Sequence, residues 1–155
     1  MTHFMVYWKP QTVVADEQQS LLGHSASNQY DKVKVGDVLW IVTSEQADDL
    51  VLVGRQTVDR LVGQLEAQQI TKSPDLWPAD LHAITDKPEH KCNLNISDWA
   101  SKVEFDGAVK YLPQGFSGQH MQAIRRLSSS GVSVLERLWA RRDESSDVTR
   151  NTLED

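Results

Sequence analysis

The chain is poor in cysteine and has no long apolar run. Cys92 is the single cysteine in 155 residues, so one chain can build neither a disulfide framework nor a cysteine-based zinc site. This favours a reducing compartment such as the cytoplasm. No apolar stretch approaches the roughly 18–20 residues needed to span a membrane, and residues 1–4 lack the features of a signal peptide. We therefore expect a cytoplasmic protein with no membrane partner.

Signatures of catalysis are also missing. The sequence has no glycine-rich phosphate loop, no G-x-S-x-G elbow, and no pattern that pairs serine and histidine into a triad. His82, His90 and Cys92 match no strong zinc spacing, and a fourth ligand is lacking. The sequence predicts no catalytic residue, no metal and no cofactor. An enzyme stays open only if its site is assembled from scattered residues.

Charge is negative overall but unevenly distributed. A formal net charge of −6 opposes broad, non-specific binding to nucleic acid. Residues 117–142 nevertheless contain five arginines and only one acid, Glu136, between two acidic flanks. This segment is either a solvated helix face or a surface that holds phosphates. The candidates for contacting a nucleic-acid backbone are Lys32, Lys34, Arg55, Arg125 and Arg126.

The hydrophobic pattern predicts several short strands. Residues 4–8 are aromatic and β-branched and stop at Pro10. Residues 38–43 are almost wholly apolar, as in a strand buried on both faces, and residues 50–55 follow as the partner in a hairpin. Gly54 inside the second strand indicates a bulge or a close backbone approach.

Helical signals are short. The pattern predicts a helix or loop over 16–22, a helix over 64–70, a strand over 81–84, and two late helices marked by Met121, Ile124, Leu127 and by Val132, Leu135, Leu138. Short strands with few helices favour a small α+β domain, a partly closed β-barrel of about five to six strands with helices packed on it. We assign residues 1–142 to this domain and the polar residues 143–155 to a tail or linker.

A small polar cluster, residues 24–30, precedes the Gly36-Asp37 turn and the apolar strand. Its side chains could bond the edge of a planar base while tryptophans stack on the faces. The alternative is that the cluster is a helix cap or turn. The candidate base-binding residues are Trp8, Ser25, Ser27, Asn28, Trp40 and Trp77.

Three segments together resemble a known family. They are His24-Ser-Ala-Ser-Asn-Gln-Tyr30, Val33-Lys-Val-Gly-Asp-Val-Leu-Trp-Ile-Val-Thr43, and Leu50-Val-Leu-Val-Gly-Arg55 with Val58, supported by Tyr7-Trp8 and by residues 122–128. They are similar to the EVE-type branch of the PUA-like superfamily, above all to the versions that precede an HNH nuclease domain in modification-dependent restriction endonucleases. The likeness is good over residues 3–62 and looser beyond.

The resemblance implies a PUA-like pseudobarrel, related to YTH domains, whose aromatic-walled pocket accepts a flipped modified base. In such domains the base is often 5-methylcytosine or 5-hydroxymethylcytosine in DNA, and YTH relatives bind methylated adenine in RNA. Carried over to this chain, the pocket residues are Trp8, Ser25 with Ser27 and Asn28, and Trp77. The chain departs from the nuclease pattern because it lacks the histidine-rich metal-binding motif, so we expect either a stand-alone reader or an excised domain.

From these observations we expect a non-catalytic reader of modified double-stranded DNA, the recognition module of a bacterial defence system. An HNH nuclease domain could follow in a longer parent chain. A reader of modified RNA is the first alternative. A small-molecule-binding domain or an enzyme is the second.

Overall fold

The structure, a computed structural model, is α+β and describes residues 1–17 and 19–142. The predicted tail, 143–155, lies outside the described residues. Within them the chain forms eight strands, of which two are only two residues long, against the five or six expected. The strands are β1 (His3–Tyr7), β2 (His24–Ser27), β3 (Val38–Thr43), β4 (Val51–Thr57), β5 (Arg60–Val62), β6 (Leu81–Ile84), β7 (Leu94–Asn95) and β8 (Arg125–Arg126). The helices are α1 (Pro10–Ala15), α2 (Gln64–Thr71) and α3 (Ser129–Ala140), with 3-10 turns at Tyr30–Lys32, Ser97–Lys102 and Gly118–Met121.

Two sheets make up the β-structure. A five-stranded sheet has the order β7-β4-β3-β1-β8, and a three-stranded antiparallel sheet has the order β2-β6-β5. Within the larger sheet β1 runs parallel to β3, whereas β4 runs antiparallel to it. The carboxyl ends of β1 and β3 and the amino end of β4 therefore meet at one edge of the sheet.

Apolar side chains cover both faces of the five-stranded sheet. On one face Met5, Trp40 and Leu52 pack with Leu135 and Trp139 of α3, which we call the helix-side core. On the other face lies the inter-sheet core, formed by Phe4, Val6, Leu39, Ile41, Val53, Leu22, Tyr30, Val33 and Ala83. Every residue of β3 is buried, which confirms the prediction of a strand covered on both sides.

The β3–β4 hairpin contains the irregularity that Gly54 predicted. The register shifts between Ile41, which faces Gly54, and Val42, which faces Leu52, so Val53 is the extra residue of a bulge. The backbone also approaches closely, because a Cβ on Gly54 would lie 2.8 Å from Cδ2 of Leu22. Both parts of the prediction are confirmed.

The observed helices agree less well with the helices predicted from the sequence than the strands do. The helix over 64–70 and the last helix are confirmed as α2 and α3, and the Ser128 hydroxyl accepts a bond from the Gly131 N–H at the start of α3. The helix or loop expected over 16–22 contains no helix among its described residues, and a helix instead begins earlier, at Pro10, shortly after β1 ends at Tyr7. Proline suits a first helical turn because its missing N–H has no partner to lose there.

The helix expected from Ser117 through Leu127 is wrong. A 3-10 turn covers Gly118–Met121, and the chain then extends into β8, which pairs with β1. Met121 and Leu127 pack in the helix-side core but Ile124 packs in the inter-sheet core, so the three do not share a face. A spacing of three is equally compatible with a 3-10 turn followed by a crossing strand.

None of the helices among the described residues is long and apolar enough to cross a membrane.

Candidate functional site

A cavity of about 670 Å³ opens at the edge where β1 and β3 end. Pockets for single small ligands span roughly 300–1,000 Å³. Its lining comes from the end of β1, α1, the β3–β4 turn, the start of β4 and the segment 90–95. The residues are Trp8, Pro10, Val13, Val14, Glu17, Gln19, Ser20, Thr43, Glu45, Gln46, Asp49, Val51, Val53, His90, Lys91, Cys92, Asn93 and Asn95.

Strand alternation explains which side chains reach this cavity. Phe4 and Val6 of β1 face the inter-sheet core, so Trp8, two residues further on, continues along the same face. The backbone N–H of Trp8 donates to the carbonyl of Val42 over 2.9 Å, which fixes its position beside β3. The cavity is thus the open end of the inter-sheet core, with a half-buried indole in its lining and α1 beside it.

Thr43 occupies the equivalent position at the end of β3. It follows Leu39 and Ile41 on the same face, lies in the cavity lining, and is only 6% exposed. Among the described residues, its hydroxyl is the one buried side-chain polar atom without a hydrogen-bond partner. Burying a hydroxyl without a partner costs roughly 1–3 kcal/mol, and such groups are rare in folded proteins. The oxygen itself is covered by protein atoms, so a ligand atom would bond it only after a rotation of the Thr43 side chain.

The charged lining residues are mostly acidic. Glu17, Glu45 and Asp49 contribute carboxylates, and Lys91 is the cation. Lys91 already forms an ion pair with Asp16, whose backbone carbonyl also accepts from the ammonium group. The free carboxylates therefore outweigh the positive charge available to a ligand.

The segment 90–95 is fixed by main-chain bonds. The N–H of Lys91 donates to the carbonyl of Ser20, and the N–H of Cys92 donates to that of Val53. Cys92 and His90 both lie in the lining. No group of three or more histidine, cysteine or acidic side chains in the described part of the chain could hold a metal ion.

Of the six candidate base-binding residues, the structure places only Trp8 in this cavity. Ser25 lies instead in a buried network. Because the Gln56 amide donates to the carbonyl of Ala83 over 2.9 Å, its oxygen accepts from the Ser25 hydroxyl over 2.5 Å. The Tyr30 hydroxyl then donates to Ser25 over 2.8 Å. Burial raises the pKa of Tyr30 well above its ordinary value, so the phenol stays protonated. The network ties β2, β4 and β6 together.

Ser27 and Asn28 each accept a hydrogen bond from a backbone N–H, one in the same turn and one from a distant part of the chain. The Ser27 hydroxyl accepts from the Gln29 N–H over 2.9 Å, and the Asn28 side-chain oxygen accepts from the Asp80 N–H over 2.8 Å. The polar cluster, residues 24–30, is largely β2 and the turn after it.

Trp40 and Trp77 lie apart from the cavity. Trp40 is fully buried in the helix-side core, donates to Nδ1 of His3 over 3.0 Å, and meets Trp139 edge to face. Trp77 is 72% exposed in the loop between α2 and β6. A role of either in stacking on a base stays a prediction.

The candidate backbone-contacting cations do not line the cavity, and several have other partners. Arg55 forms ion pairs of 2.8 Å with Glu89 and with Glu136, and its guanidinium lies near the rings of Trp40 and Trp139.

The other four candidate cations lie at the surface. Arg125 stacks on Phe105 and donates to the carbonyl of Val109, and Arg126 pairs with Asp106 over 3.1 Å. Lys32 and Lys34 are exposed, and neither forms an ion pair with a described residue.

A second polar cluster was missed by the sequence reasoning. Nε2 of His24 lies 2.7 Å from Nδ1 of His82, and Nε2 of His82 lies 2.6 Å from the amide oxygen of Gln64. The Gln64 amide donates to the carbonyl of Leu76, so its oxygen accepts from His82 and leaves Nδ1 of His82 to accept from His24. Burial, and then the neighbouring His82, lowers the pKa of His24 to about 4. Both rings are therefore neutral near pH 7.

The sequence did carry one signal for the cavity. Thr43 is a polar residue that ends an otherwise apolar run and shares a face with Leu39 and Ile41. Its importance depends on the parallel β1–β3 pairing, which no local pattern reveals. Comparisons with protein-family models, with curated proteins and with solved structures find no match for this chain.

Proposed function

We propose that this protein is a non-catalytic binding domain that accepts one flipped, modified base in the cavity beside Trp8. The observation that carries the proposal is the unsatisfied hydroxyl of Thr43 in a lining that also holds an indole. A base offers polar atoms at its edge and a π-face on each side. A hydroxyl and a tryptophan are the groups that bind such a ligand.

The size and chemistry of the cavity support a single base. At about 670 Å³ it has room for one nucleobase and part of its sugar. The carboxylates of Glu45 and Asp49 could accept from the exocyclic amino group of cytosine, which is the pairing that acidic side chains make with that base. Modified cytosine in DNA, 5-methylcytosine or 5-hydroxymethylcytosine, is the first candidate ligand. Two sheets with short helices are compatible with the EVE-type, PUA-like domain that the sequence resembles, and we propose that family here.

The test is calorimetric titration with matched modified and unmodified duplexes. We expect tighter binding of the modified duplex and a loss of about 1–3 kcal/mol in Trp8→Ala, because stacking on an aromatic ring contributes that much per base. Trp77→Ala should bind as the wild type does, since Trp77 lies outside the cavity. Thermal unfolding of Trp8→Ala verifies that the variant folds, and Trp8→Phe, which keeps a ring, should retain part of the affinity.

Equal affinity for the two duplexes, unchanged in Trp8→Ala, would sink the proposal. Competition between single-stranded RNA and duplex DNA identifies the polymer. If RNA displaces the duplex but not the reverse, the domain is the RNA reader of the first alternative.

A second function is favoured by the charge of the lining. Carboxylates at a cavity mouth repel phosphates, and none of the candidate backbone-contacting cations lies in that lining. Both facts suit a small cationic or amino-bearing molecule that enters without a polymer. The two functions are separated by comparing the affinity for a free nucleoside with that for the same base in an oligonucleotide. A polymer reader binds the oligonucleotide more tightly, because it gains affinity from backbone contacts. Equal affinities would support the small-molecule function.

A further inference from the structure

The charges of the cavity lining restrict the kind of ligand more narrowly than the volume of the cavity does. Glu17 and Glu45 are exposed acids of the lining that form no ion pair with a described residue. Asp49 also lies in the lining, and its carboxylate accepts from the Glu45 N–H, the Asn95 amide and the Ser97 hydroxyl, each over 3.3 Å. A ligand in this cavity therefore meets fixed negative charge near its edge.

The positive charge of the lining does not offset these acids. Among the described residues Lys91 is the one lysine or arginine in the lining, and its ammonium group is engaged by both the carboxylate and the carbonyl of Asp16. The Asp16–Lys91 pair is close to neutral as a unit. Glu17, Glu45 and Asp49 are the lining charges that form no ion pair with a described residue.

An aromatic face and an unsatisfied hydroxyl complete the site. Trp8 lies in the lining, and the π-face of an indole attracts a cation held above it more strongly than a neutral ring. The buried hydroxyl of Thr43 has no partner among the described residues, so a polar atom of a ligand would satisfy it. A hydroxyl can donate to a carbonyl oxygen or a ring nitrogen of a base. Acids, indole and hydroxyl together suit a flat ligand that is positively charged but keeps an acceptor atom.

We propose that the cavity selects a nucleobase that carries a delocalised positive charge near pH 7, such as a base methylated on a ring nitrogen, over a neutral modified base of the same size. The inference rests on the proposed function, because it names the class of modified base that the same cavity binds, and it ranks a cationic base ahead of 5-methylcytosine as the preferred ligand. In such a base the ring charge lies over the face of Trp8 and the amino group points towards Glu45 and Asp49. A neutral base, methylated on carbon, gains the stacking but not the charge.

Two pairs of isomers test the inference with no change in composition. 3-Methylcytidine is cationic near pH 7 and 5-methylcytidine is neutral, and 1-methyladenosine and N6-methyladenosine form a second pair. Tryptophan fluorescence and calorimetry would give Kd for each free nucleoside, so that no phosphate contributes. We expect the cationic member of each pair to bind at least about tenfold more tightly, as for a partly desolvated cation–π contact with nearby carboxylates. The preference should shrink as salt is raised.

Single-charge variants locate the source of the preference. Glu45→Gln and Glu17→Gln replace exposed acids by neutral residues of the same size, so we expect each to fold and to lower the cation preference several-fold. Glu66→Gln is the matched control, since Glu66 is an exposed acid on α2, outside the lining. It removes the same net charge and should leave the preference unchanged.

The outcomes separate this inference from the proposed function. If the neutral isomers bind as tightly as the cationic ones, or if Glu45→Gln and Glu17→Gln behave like Glu66→Gln, the charge inference is wrong and the modified-base proposal stands. If no isomer binds, either as a nucleoside or within an oligonucleotide, both are wrong. A cation preference that is lost in the Glu45 and Glu17 variants supports both.

Discussion

At the scale of single residues, Thr43 and Ser25 show how similar hydroxyls take opposite roles. Both are buried, and each lies on a strand that faces the inter-sheet core. Ser25 bonds Tyr30 and Gln56, so its hydroxyl is part of the fold. The hydroxyl of Thr43 has no partner and lies in the cavity lining. Satisfaction of the hydrogen bond, rather than residue type, separates a structural hydroxyl from a candidate ligand-binding one.

Replacing Thr43 by valine should stabilise the protein. The substitution keeps the branched shape and removes a buried hydroxyl that has no partner, so the free energy of unfolding should rise by up to about 1–3 kcal/mol. Affinity for the cavity ligand should fall, since the ligand loses a hydrogen bond. Chemical denaturation and ligand titration of the same preparation measure both effects. A less stable Thr43→Val would mean that the hydroxyl has a partner in the free protein.

Replacing Ser25 by alanine should destabilise the protein. The change leaves the Tyr30 hydroxyl and the Gln56 oxygen buried without their partner, which should cost about 1–3 kcal/mol. Ligand affinity of the folded fraction should not change, because Ser25 is absent from the cavity lining. Denaturation gives the first quantity and calorimetry the second. Reduced affinity at unchanged stability would instead restore Ser25 as a base-contacting residue.

At the scale of helices and strands, local sequence patterns predicted the features that depend on neighbouring residues alone. The six buried residues of β3, the bulge at Gly54 and the apolar face of α3 all follow from patterns within one or two elements. The same kind of pattern gave a wrong prediction, a helix, for residues 117–127. Its spacing of three is local, but the pairing of Arg125 and Arg126 with β1 is a long-range interaction that overrides it.

A methyl group at Gly54 tests the close approach between Gly54 and Leu22. A Cβ there would lie 2.8 Å from Cδ2 of Leu22, so Gly54→Ala should lower the free energy of unfolding by about 1–3 kcal/mol through overpacking. In a Leu22→Ala background the same substitution should cost clearly less, because the clashing side chain is gone. A double-mutant cycle measured by denaturation gives this coupling. Gly63→Ala is the control, since a Cβ there meets no atom within 4 Å. Equal cost in both backgrounds would exclude the close approach as the cause.

At the scale of the whole molecule, strand order creates both the cavity and the histidine pair. Trp8 and Thr43 are 35 positions apart and meet because β1 and β3 are parallel neighbours. His24 and His82 meet because β2 pairs with β6, with Ala26 opposite His82. The sequence indicated Trp8 as a ligand-contacting residue but placed the rest of the site in the 24–30 segment. Periodicity predicts strands, yet it does not state which strands are neighbours.

The histidine pair predicts how stability depends on pH. The pKa of His24 is lowered from 6.5 to about 4 in the folded protein, so the unfolded chain binds more protons between these values. The contribution of His24 to the free energy of unfolding should therefore be complete above pH 6.5 and should decrease as the pH falls towards 4. Below about pH 4, His24 should cause no further decrease. Thermal unfolding from pH 7 to 4 should show a decline of several degrees, since about 1 kcal/mol corresponds to roughly 2–4 °C for a domain of this size.

The matched variant for this prediction is His24→Gln, which cannot gain the proton. Its melting temperature should decline less steeply over the same pH range, although His82 and His3, whose pKa values are also lowered by burial, still contribute. Parallel curves for the two proteins would contradict the assignment to His24.

The central claim is that the cavity at the ends of β1 and β3 is the ligand-binding site. The five tryptophans make it directly measurable by NMR, because each indole N–H gives one signal that a single Trp→Phe replacement assigns. A duplex with one 5-methylcytosine and free 3-methylcytidine would each be added to saturation. We expect the Trp8 signal to shift with at least one of these ligands, while the signals of the buried Trp40 and the exposed Trp77 stay in place. A shift of the Trp77 signal with that of Trp8 unchanged would contradict it and move the site to the loop between α2 and β6.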